Sequence, residues 1–442
     1  MCRLHDDGFF LSILLTPYPF HYVIIIPMTL IAYKYLLKPN ATQREQCRQH
    51  FGHNRFVYNW GLALKQRYYR RYGQSLSKRR LQDQLVKKKR QNRFSWLKDV
   101  NSQSLLFTLL QLDLAFSRFF SKQAQFPRFK SKYSSQQAFS CPQHGAVDFS
   151  KSQIKLPKLG WVKAILHRRF EGDVKTVTVK LLPSGKYMAT VLVENNLSHP
   201  VKSVIEANKT IGIDLGVKSI LVTSDGEEVM NPRCIQVIEK LLAKHQRILA
   251  RKKKGSKSRS VQKRVVAKLY ERASNKRNDF LHQITHLLAD KSHATSLVIE
   301  NLNVKAMTKD SKFAKHISDV AMGQFRSFLA YKAERNGKNL LVIGRFEPSS
   351  KTCSCCGHIK NMTLADRVYH CDHCNEVIDR DLNAAINIRQ IGLDNELEPT
   401  GMVGTVKCSS NASPIQLGAL AKGYIKRYIR SVEAPTIAAL AV

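Results

Sequence analysis

The stretch IGIDLGVKSILVT (residues 211–223) decides the fold of the second half of this chain. Two apolar runs flank a short glycine-containing turn, and this pattern predicts two buried strands with a tight connection. Asp214 stands at the end of the first strand. A further apolar strand, SLVIENL (296–302), carries Glu300, and DRDLNAAINIRQIG (379–392) starts a helix with Asp381. With further strands and helices in the first half, 442 residues predict an α+β protein of several domains.

Asp214, Glu300 and Asp381 form the candidate catalytic set. An acid among buried aliphatic residues is costly to keep ionised unless a cation compensates it. Two ions about 4 Å apart activate water and stabilise the leaving oxygen of a phosphodiester, and Mg²⁺ favours carboxylate oxygens. A single strand-end acid is weak evidence because such acids often cap loops, but the order strand-Asp, strand-Glu, helix-Asp is more specific. Asp379 is an alternative third ligand; we prefer Asp381 and expect Asp379 to cap the helix.

Two Cys-x-x-Cys pairs, separated by fourteen residues, predict a structural zinc ribbon with the ligands Cys353, Cys356, Cys371 and Cys374. The alternative is a redox-active dithiol, but a single Cys-x-x-Cys pair would suffice for redox activity. Cys355 is an extra thiol that competes with Cys356 for a place in the first pair. Three nearby histidines are expected to lie outside the coordination sphere: His358, His370 and His373. The remaining cysteines are scattered, which favours a reducing, cytoplasmic compartment.

The charge of the chain predicts a polyanionic partner. Lys and Arg number 72 against 33 Asp and Glu, a formal net charge of +39, and counterion release from phosphates drives the binding of such proteins. The cations concentrate in helices over 44–93, in the loop FPRFKSKY (126–133) and in 251–277. The predicted nucleic-acid contacts are Arg55, Arg67, Arg70, Arg71, Arg128, Lys130, Lys252, Lys253, Lys254 and Arg264. For the first helices, a solvated charged surface is the alternative.

The N-terminal half predicts a strand, then helices, then a strand-rich segment. Residues 29–37 read as a strand, and Thr42-Gln-Arg-Glu45 as a capping box at which a helix starts. A second, amphipathic helix is predicted over 101–126, and 150–195 reads as a strand-rich small barrel or sheet.

The first 27 residues predict an extension rather than a domain. They hold two apolar runs that prolines interrupt, and neither reaches the roughly 18–20 residues that span a bilayer. We expect Met28 to be the natural start, with a membrane anchor as the alternative.

GIDLG, IENL, the SKTCSCCG…YHCDHC ribbon and DRDLNAAINI, in that order, resemble the TnpB (OrfB) proteins of insertion sequences. These are related to type V CRISPR effectors and Fanzor proteins, and the similarity extends over residues 29–392. The resemblance implies a RuvC-type RNase H-like catalytic domain centred on Asp214, Glu300 and Asp381, with an inserted zinc ribbon. It also implies that a small β-barrel, the wedge, precedes this domain and carries an inserted helical recognition region.

The implied boundaries follow the chain in order: 1–27 upstream extension; 28–209 wedge barrel with a helical insert over about 42–125; 210–345 RuvC core; 346–378 zinc ribbon; 379–392 last RuvC segment; 393–442 flexible tail.

The resemblance further implies an RNA-guided, divalent-metal-dependent DNA endonuclease that favours retention of its element. Its partners would be a guide RNA from the transposon end and double-stranded target DNA, its cofactors structural Zn²⁺ and catalytic Mg²⁺. Its location would be the cytoplasm, at the nucleoid, with no membrane partner. Two alternatives stay open: a transposase that joins DNA strands as well as cutting them, and a catalytically silent nucleic-acid-binding regulator.

Overall fold

The computed structural model describes residues 29–133, 137–195, 197–198, 200–309, 314–363 and 366–397. The predicted extension 1–27 lies outside these ranges, and so does the predicted tail from residue 398 onward. The described residues form two large sheets, helices that pack on them, and a two-stranded ribbon. None of the helices in these ranges has the length and apolarity that crossing a bilayer requires.

The first sheet is antiparallel and has seven strands. They are β1 (Thr29–Lys38), β2 (Gln137–Cys141), β3 (Ala146–Asp148), β4 (Gln153–Leu156), β5 (Gly160–Ile165), β6 (Asp173–Leu181) and β7 (Tyr187–Asn195). Their order is β2-β6-β7-β1-β5-β4-β3. Phe139 of β2 and Ile154 of β4 belong to one buried cluster, so the sheet curls around a single core. Within the described ranges no ladder joins β2 to β3, and the predicted barrel is therefore an open, curled sheet.

Three helices are inserted between β1 and β2: α1 (Ala41–Tyr72), α2 (Lys78–Arg90) and α3 (Ser102–Phe120). Leu62, Leu81 and Leu109, one from each helix, are fully buried against one another in a shared core. The helix predicted over 101–126 is α3. It ends six residues earlier than predicted, shortly before Lys122 takes a left-handed φ of 58°.

The start of α1 also differs from the prediction, because Asn40 and not Thr42 caps it. Asn40 Oδ1 accepts the Gln43 backbone N–H at 2.8 Å, and Gln43 Oε1 accepts the Asn40 N–H at 3.1 Å. Asparagine is a stronger N-cap than threonine. The helix therefore begins two residues earlier than the predicted box would place it.

The second sheet has five strands in the order β10-β9-β8-β11-β12. They are β8 (Thr210–Asp214), β9 (Ser219–Thr223), β10 (Glu228–Met230), β11 (Ser296–Glu300) and β12 (Asn339–Ile343). The first three form an antiparallel meander, whereas β11 lies parallel to both β8 and β12. The strands predicted from 211–223 and 296–302 are confirmed as β8, β9 and β11. The carboxyl ends of β8, β11 and β12 share one edge of the sheet.

Helices cover both faces of this sheet. They are α4 (Cys234–Val237), α5 (Glu239–Arg251), α6 (Lys257–His286), α7 (Val304–Lys309), α8 (Ala314–Val320), α9 (Met322–Arg335) and α10 (Arg380–Leu397). On one face α6 and α9 contribute Phe280 and Phe325 to a core with Ile299 of β11. On the other face Ile388 of α10 packs on Val298. Because side chains alternate along a strand, β11 is buried on both sides.

The helix α10 approaches the sheet very closely. A Cβ on Gly212 of β8 would stand 2.1 Å from the Ala385 carbonyl oxygen, and one on Gly392 would stand 2.4 Å from Val298 Cγ1. Glycine at both points lets the backbones meet. The helix continues to Leu397, five residues beyond the predicted end at 392. The predicted tail boundary at 393 is wrong, because Leu393 is buried and keeps the helix on the protein.

A ribbon connects β12 to α10. Its hairpin consists of β13 (Val368–His370) and β14 (Val377–Asp379). Tyr369 is fully buried between Cys353 and Cys371, and its hydroxyl donates to the Lys351 and His358 carbonyls at 3.1 Å each. The ribbon therefore has a small core of its own.

Candidate metal centres

The second sheet brings two of the predicted acids together. Asp214 is the last residue of β8 and Glu300 the last of β11. These strands are parallel, with Ile213 opposite Ile299, so the two acids are neighbours at the same edge. The third acid, Asp381, lies in the first turn of α10, the helix that crosses β8 at Gly212. The three carboxylates thus converge from segments far apart in the sequence.

Burial and neighbouring charges both act on these acids. Burial raises the pKa of Asp214 to about 7, and the charges of Glu300 and Asp381 add to the rise, while the Leu215 N–H and the Arg380 charge oppose it. Burial also raises the pKa of Glu300, against a hydrogen bond from the Ser349 hydroxyl. A pocket of this kind favours either protons or a cation, because either neutralises the crowded negative charge.

Two partners orient the acids. Arg380 reaches Asp381 Oδ1 from its Nη2 at 3.2 Å and its Nε at 3.3 Å. Asp379 caps α10, as predicted, since its Oδ1 accepts the Asp381 N–H at 2.9 Å and the Leu382 N–H at 3.1 Å. Asp379 therefore has a structural role as the helix cap, and Asp381 lies beside the other two acids.

The four predicted zinc ligands form a compact set. The Sγ atoms of Cys353, Cys356, Cys371 and Cys374 all lie within 4.8 Å of one another. Cys353 and Cys374 are 3.6 Å apart at sulfur, and Cys356 and Cys371 are 3.5 Å apart. Tetrahedral zinc with bonds of about 2.3 Å separates its sulfurs by about 3.8 Å, so the cluster fits this metal.

The four thiols differ in how readily they ionise. Backbone N–H groups, first that of Cys374, lower the pKa of the Cys371 thiol to about 6, whereas the pKa of each of the other three thiols is raised, for Cys353 mainly by burial. Cys371 therefore most readily supplies the thiolate, which is the form that binds zinc. Cys355 is exposed and lies outside the set, so Cys356 is the partner of Cys353. The nearby histidines also lie outside it; the rings of His358 and His373 stack 5.9 Å apart.

The acids are spread more widely than the cysteines. Within the described ranges, the four cysteines are the one group of three or more potential ligands whose atoms all lie within 4.8 Å. The carboxylates therefore do not form a tight ligand set for one ion. A pair of ions about 4 Å apart spans a wider set.

Buried asparagines that were not predicted from the sequence connect the two centres. Asn383 and Asn387 face the ribbon from α10 and bond to its backbone at Thr352, Ser354 and Ser349. Their signal in the sequence is a pair of amides four residues apart on the apolar face of DLNAAINI, since buried amides need partners.

The predicted nucleic-acid contacts lie on several elements. Eight are exposed: Arg67, Arg70 and Arg71 of α1, Arg128, Lys130, Lys253, Lys254, and Arg264 of α6; Arg55 and Lys252 are half-buried. Four of the positions already have partners. Lys130 Nζ lies 4.0 Å from the Tyr58 ring centroid and Arg71 Cζ lies 5.5 Å from that of Tyr72. Arg128 bonds to Gln125, and Lys252 donates to the Ser258 hydroxyl. Although Lys130 as a whole is exposed, partial desolvation of its ammonium group lowers its pKa.

The loop 126–133 is only partly available for stacking on bases. Phe126 packs edge-on against Phe116 at 5.5 Å and Phe119 at 5.3 Å. Phe129 is 56% and Tyr133 94% exposed, so these two rings remain accessible.

The cationic stretch 251–277 also lines a cleft against the first sheet. The cleft has a volume of about 580 Å³ and includes Lys186, Lys268, Arg272 and Lys276. Lys186 pairs with Glu271 at 2.7 Å. Lys186, from the turn between β6 and β7, extends this basic surface beyond the residues predicted.

Comparison with known proteins identifies the family. Three family profiles match: "Probable transposase" of the OrfB type over residues 190–311, "Cas12f1-like, TNB domain" over 323–388 and "Helix-turn-helix domain" over 28–74. A relative from Streptomyces pristinaespiralis, named "Putative RNA-guided DNA endonuclease", is 34% identical over 372 residues, which cover 82% of this chain and 89% of the relative. The chain belongs to the TnpB (OrfB) family. The family predicted from the motifs is thereby confirmed.

Other proteins are similar to this TnpB-family chain over most of its length. The "Putative RNA-guided DNA endonuclease InsQ" of Escherichia coli (strain K12) is 33% identical over 377 residues and 92% of its own length. A chain from the cryo-EM structure of a Cas12f1–sgRNA–target DNA complex aligns with 82% of this chain and 99% of its own, at 14% identity and a TM-score of 0.49. Where the helix-turn-helix profile matches, this TnpB-family chain has β1 and the single helix α1.

Proposed function

We propose that this protein is an RNA-guided DNA endonuclease in which Asp214, Glu300 and Asp381 hold catalytic Mg²⁺. One observation carries the proposal: the three acids converge at one edge of the second sheet, where burial, together with the charges of Glu300 and Asp381, raises the pKa of Asp214 to about 7. The names of the TnpB relatives from Streptomyces and Escherichia coli support the same activity.

The architecture supports a RuvC-type RNase H-like core for the second sheet. An antiparallel meander continues into two parallel strands, with helices on both faces. Asp214 and Glu300 lie at the carboxyl ends of parallel strands, and Asp381 lies in the first turn of α10. On this assignment the first sheet is the wedge, α1 to α3 are its recognition insert, and the ribbon with its four cysteines is inserted before the last RuvC helix.

The three acidic side chains would act by holding the divalent ions in fixed positions. Asp214, Glu300 and Asp381 would hold Mg²⁺, which would supply activation of a water and stabilisation of the leaving oxygen of a phosphodiester. Asp214 accepts the Leu215 N–H, Glu300 accepts the Ser349 hydroxyl, and Asp381 is held by Arg380. Each acid therefore has one partner that limits its orientation, which is the condition for a preorganised site.

The cations would hold nucleic acid. Base pairing with a guide RNA from the element's end would select the target DNA, and the protein would read backbone shape and a short duplex motif. The basic helices of α1 and α2, the 251–277 stretch and the cleft at Lys186 supply the positive surface. Cleavage of the resulting site would favour retention of the element, and the protein would act at the nucleoid.

The first prediction tests the nuclease directly. The variant Asp214→Asn should cleave target DNA on the order of 10²–10³-fold more slowly than the wild type, because charge stabilisation in the pocket is lost. Binding of the copurified RNA should be unchanged. The measurement is cleavage of supercoiled target DNA in Mg²⁺, with the products resolved on a denaturing gel.

The outcomes separate the alternatives. Cleavage by Asp214→Asn at the wild-type rate would refute the acid assignment, and strand-joined products would favour a transposase. Sequencing of the copurified RNA tests the guide: a transcript that overlaps the element's end is expected, and random cellular RNA would contradict it.

A further inference from the structure

A buried hydrogen-bond network joins the zinc ribbon to the acids. Asn383 is fully buried in α10; its Nδ2 donates to the Thr352 carbonyl at 2.7 Å, and its Oδ1 accepts the Ser354 N–H at 2.9 Å. One turn later, Asn387 Nδ2 donates to the carbonyls of Ser349 and Thr352, both at 2.7 Å. The helix thus holds the backbone on both sides of the zinc ligand Cys353.

The network continues to Glu300. The buried Ser349 donates its hydroxyl to Glu300 Oε1 while its own carbonyl accepts from Asn387. Glu300 stands next to Asp214, and their like charges repel. Among the residues that the structure describes, Ser349 is the side chain that donates to Glu300, and this bond favours one orientation of the carboxylate. Asp381 lies two residues before Asn383 on the same helix. The helix α10 therefore carries the acid Asp381. Through the amides of Asn383 and Asn387 it also holds the segment that contains Ser349, the hydrogen-bond donor to Glu300.

We propose that Asn387 and Ser349 are positioning residues through which the zinc-bound ribbon fixes the Glu300 carboxylate for divalent-ion binding. The role of Glu300 in this inference rests on the proposed function. Zinc at Cys353 keeps the segment 349–354 in place, so Ser349 stays within reach of Glu300. Without zinc the segment loosens, and the acids bind divalent ions more weakly while the core around Phe280 and Phe325 stays folded, because the ribbon core is separate from it.

The test measures ion affinity rather than cleavage. Full-length variants Ser349→Ala and Asn387→Leu are titrated with Mn²⁺ by electron paramagnetic resonance, and Asp214→Asn shows which binding belongs to the acids. Both variants should weaken Mn²⁺ affinity about 10-fold or more, since outer partners of metal ligands have effects of this size. Zinc content, measured by atomic emission, should stay at the wild-type level in Ser349→Ala.

A matched control separates positioning from stability. Asn339 is also buried and donates to a backbone carbonyl, that of Ser203 at 2.8 Å, but it lies at the amino end of β12, away from the acids. Asn339→Leu should lower the melting temperature as Asn387→Leu does, yet leave Mn²⁺ affinity unchanged. Equal Mn²⁺ affinity in Asn387→Leu, Ser349→Ala and Asn339→Leu would overturn the inference.

A second arm varies the zinc site itself. Cys371→Ser should lower both zinc content and Mn²⁺ affinity, whereas the exposed Cys355→Ser should change neither. A zinc-depleted protein with full Mn²⁺ affinity would contradict the coupling. If Asn387→Leu weakens Mn²⁺ binding but the wild type cleaves no DNA, the inference stands and the proposed function fails. If the wild type cleaves DNA and Asn387→Leu binds Mn²⁺ normally, the reverse holds.

Discussion

At the scale of single residues, the acidic pocket shows how the fold makes an ionised group costly. Asp214 follows the buried Ile213, and its charge faces those of Glu300 and Asp381. Arg380 and the Leu215 N–H compensate only part of this. An uncompensated buried carboxylate destabilises the folded state at any pH where it must be charged. The ionised acids should therefore destabilise the folded state until a cation binds to them.

The second prediction concerns stability and pH. The pKa of Asp214 rises from 3.8 to about 7 on folding. The folded protein then binds this proton more tightly than the unfolded chain, so stability is fully present at low pH and falls as pH rises from about 4 through about 7. Without added Mg²⁺, Asp214→Asn should be more stable than the wild type by about 2–4 kcal/mol at pH 8 and by little at pH 4.

Urea unfolding at the two pH values measures this difference. Added Mg²⁺ serves as the control, because it should stabilise the wild type at pH 8 and stabilise Asp214→Asn less. Equal stability of the two proteins at pH 8 would show that ionisation of Asp214 does not lower the free energy of unfolding.

The third prediction decides between neighbouring acids. Asp381→Asn should lower cleavage on the order of 10²–10³-fold, because it removes a charge from the pocket. Asp379→Asn should stay within about twofold of the wild type, since asparagine caps a helix as well as aspartate. Rates of DNA cleavage in saturating Mg²⁺ compare them. A severe loss in Asp379→Asn with an active Asp381→Asn would exchange their roles.

At the scale of secondary-structure elements, apolar runs predicted β8, β9 and β11 because fully buried strands leave a continuous signal. The start of α10 was predicted too, because aspartate, the residue at 379, is a preferred N-cap of helices. The order of the strands and the register were not predictable, because they depend on pairing between segments about 80 residues apart. The start of α1 was misplaced because Asn40 and Thr42 are both acceptable caps, and only the geometry shows that Gln43 pairs with Asn40.

For the site, too, features that are local in sequence were predicted, whereas contacts between distant segments were not. The cysteine spacing predicted the ribbon, because its ligands are close in sequence, and the acids were predicted by type and order. Ser349 and Arg380 were missed, because their partners are defined only once the ribbon is packed on α10.

The fourth prediction tests the close contact of α10 and β8. In Gly212→Ala the new Cβ would stand 2.1 Å from the Ala385 carbonyl and 2.7 Å from the Arg389 nitrogen, both backbone atoms that cannot turn aside. The helix must move outward, at a cost of about 1–3 kcal/mol or more, and Asp381 moves with it. Thermal unfolding and cleavage rate should therefore both decline.

Gly323 in α9 provides the control, because a Cβ there meets nothing within 4 Å. Gly323→Ala should be neutral or stabilise the protein by up to about 1 kcal/mol through helix propensity. If Gly212→Ala behaves like Gly323→Ala, α10 does not lie as close to β8 as the structure shows.

At the scale of the whole molecule, the chain carries a formal net charge of +39. Each structural unit contributes cations: α1 and α2 in the insert, the β4–β5 hairpin, and the α5–α6 connection. General attraction to polyanions is therefore inevitable, and it does not by itself identify the surface that holds a nucleic acid. That surface must be found by comparing clusters of equal charge.

The fifth prediction makes this comparison. Lys253 and Lys254 are exposed in the turn between α5 and α6, with Lys252 half-buried beside them. Replacing all three by Gln should reduce the slope of log affinity against log salt by about 2–3, since each lost phosphate contact removes 0.7 to 0.9. The control replaces three exposed lysines by Gln and lowers the net charge equally: Lys151 of the β3–β4 turn, Lys155 of β4 and Lys158 of the β4–β5 turn. RNA binding measured by filter retention over a range of salt concentrations should show the full slope in the control. Equal slopes in both triple variants would mean that overall charge, and not the α5–α6 turn, governs binding.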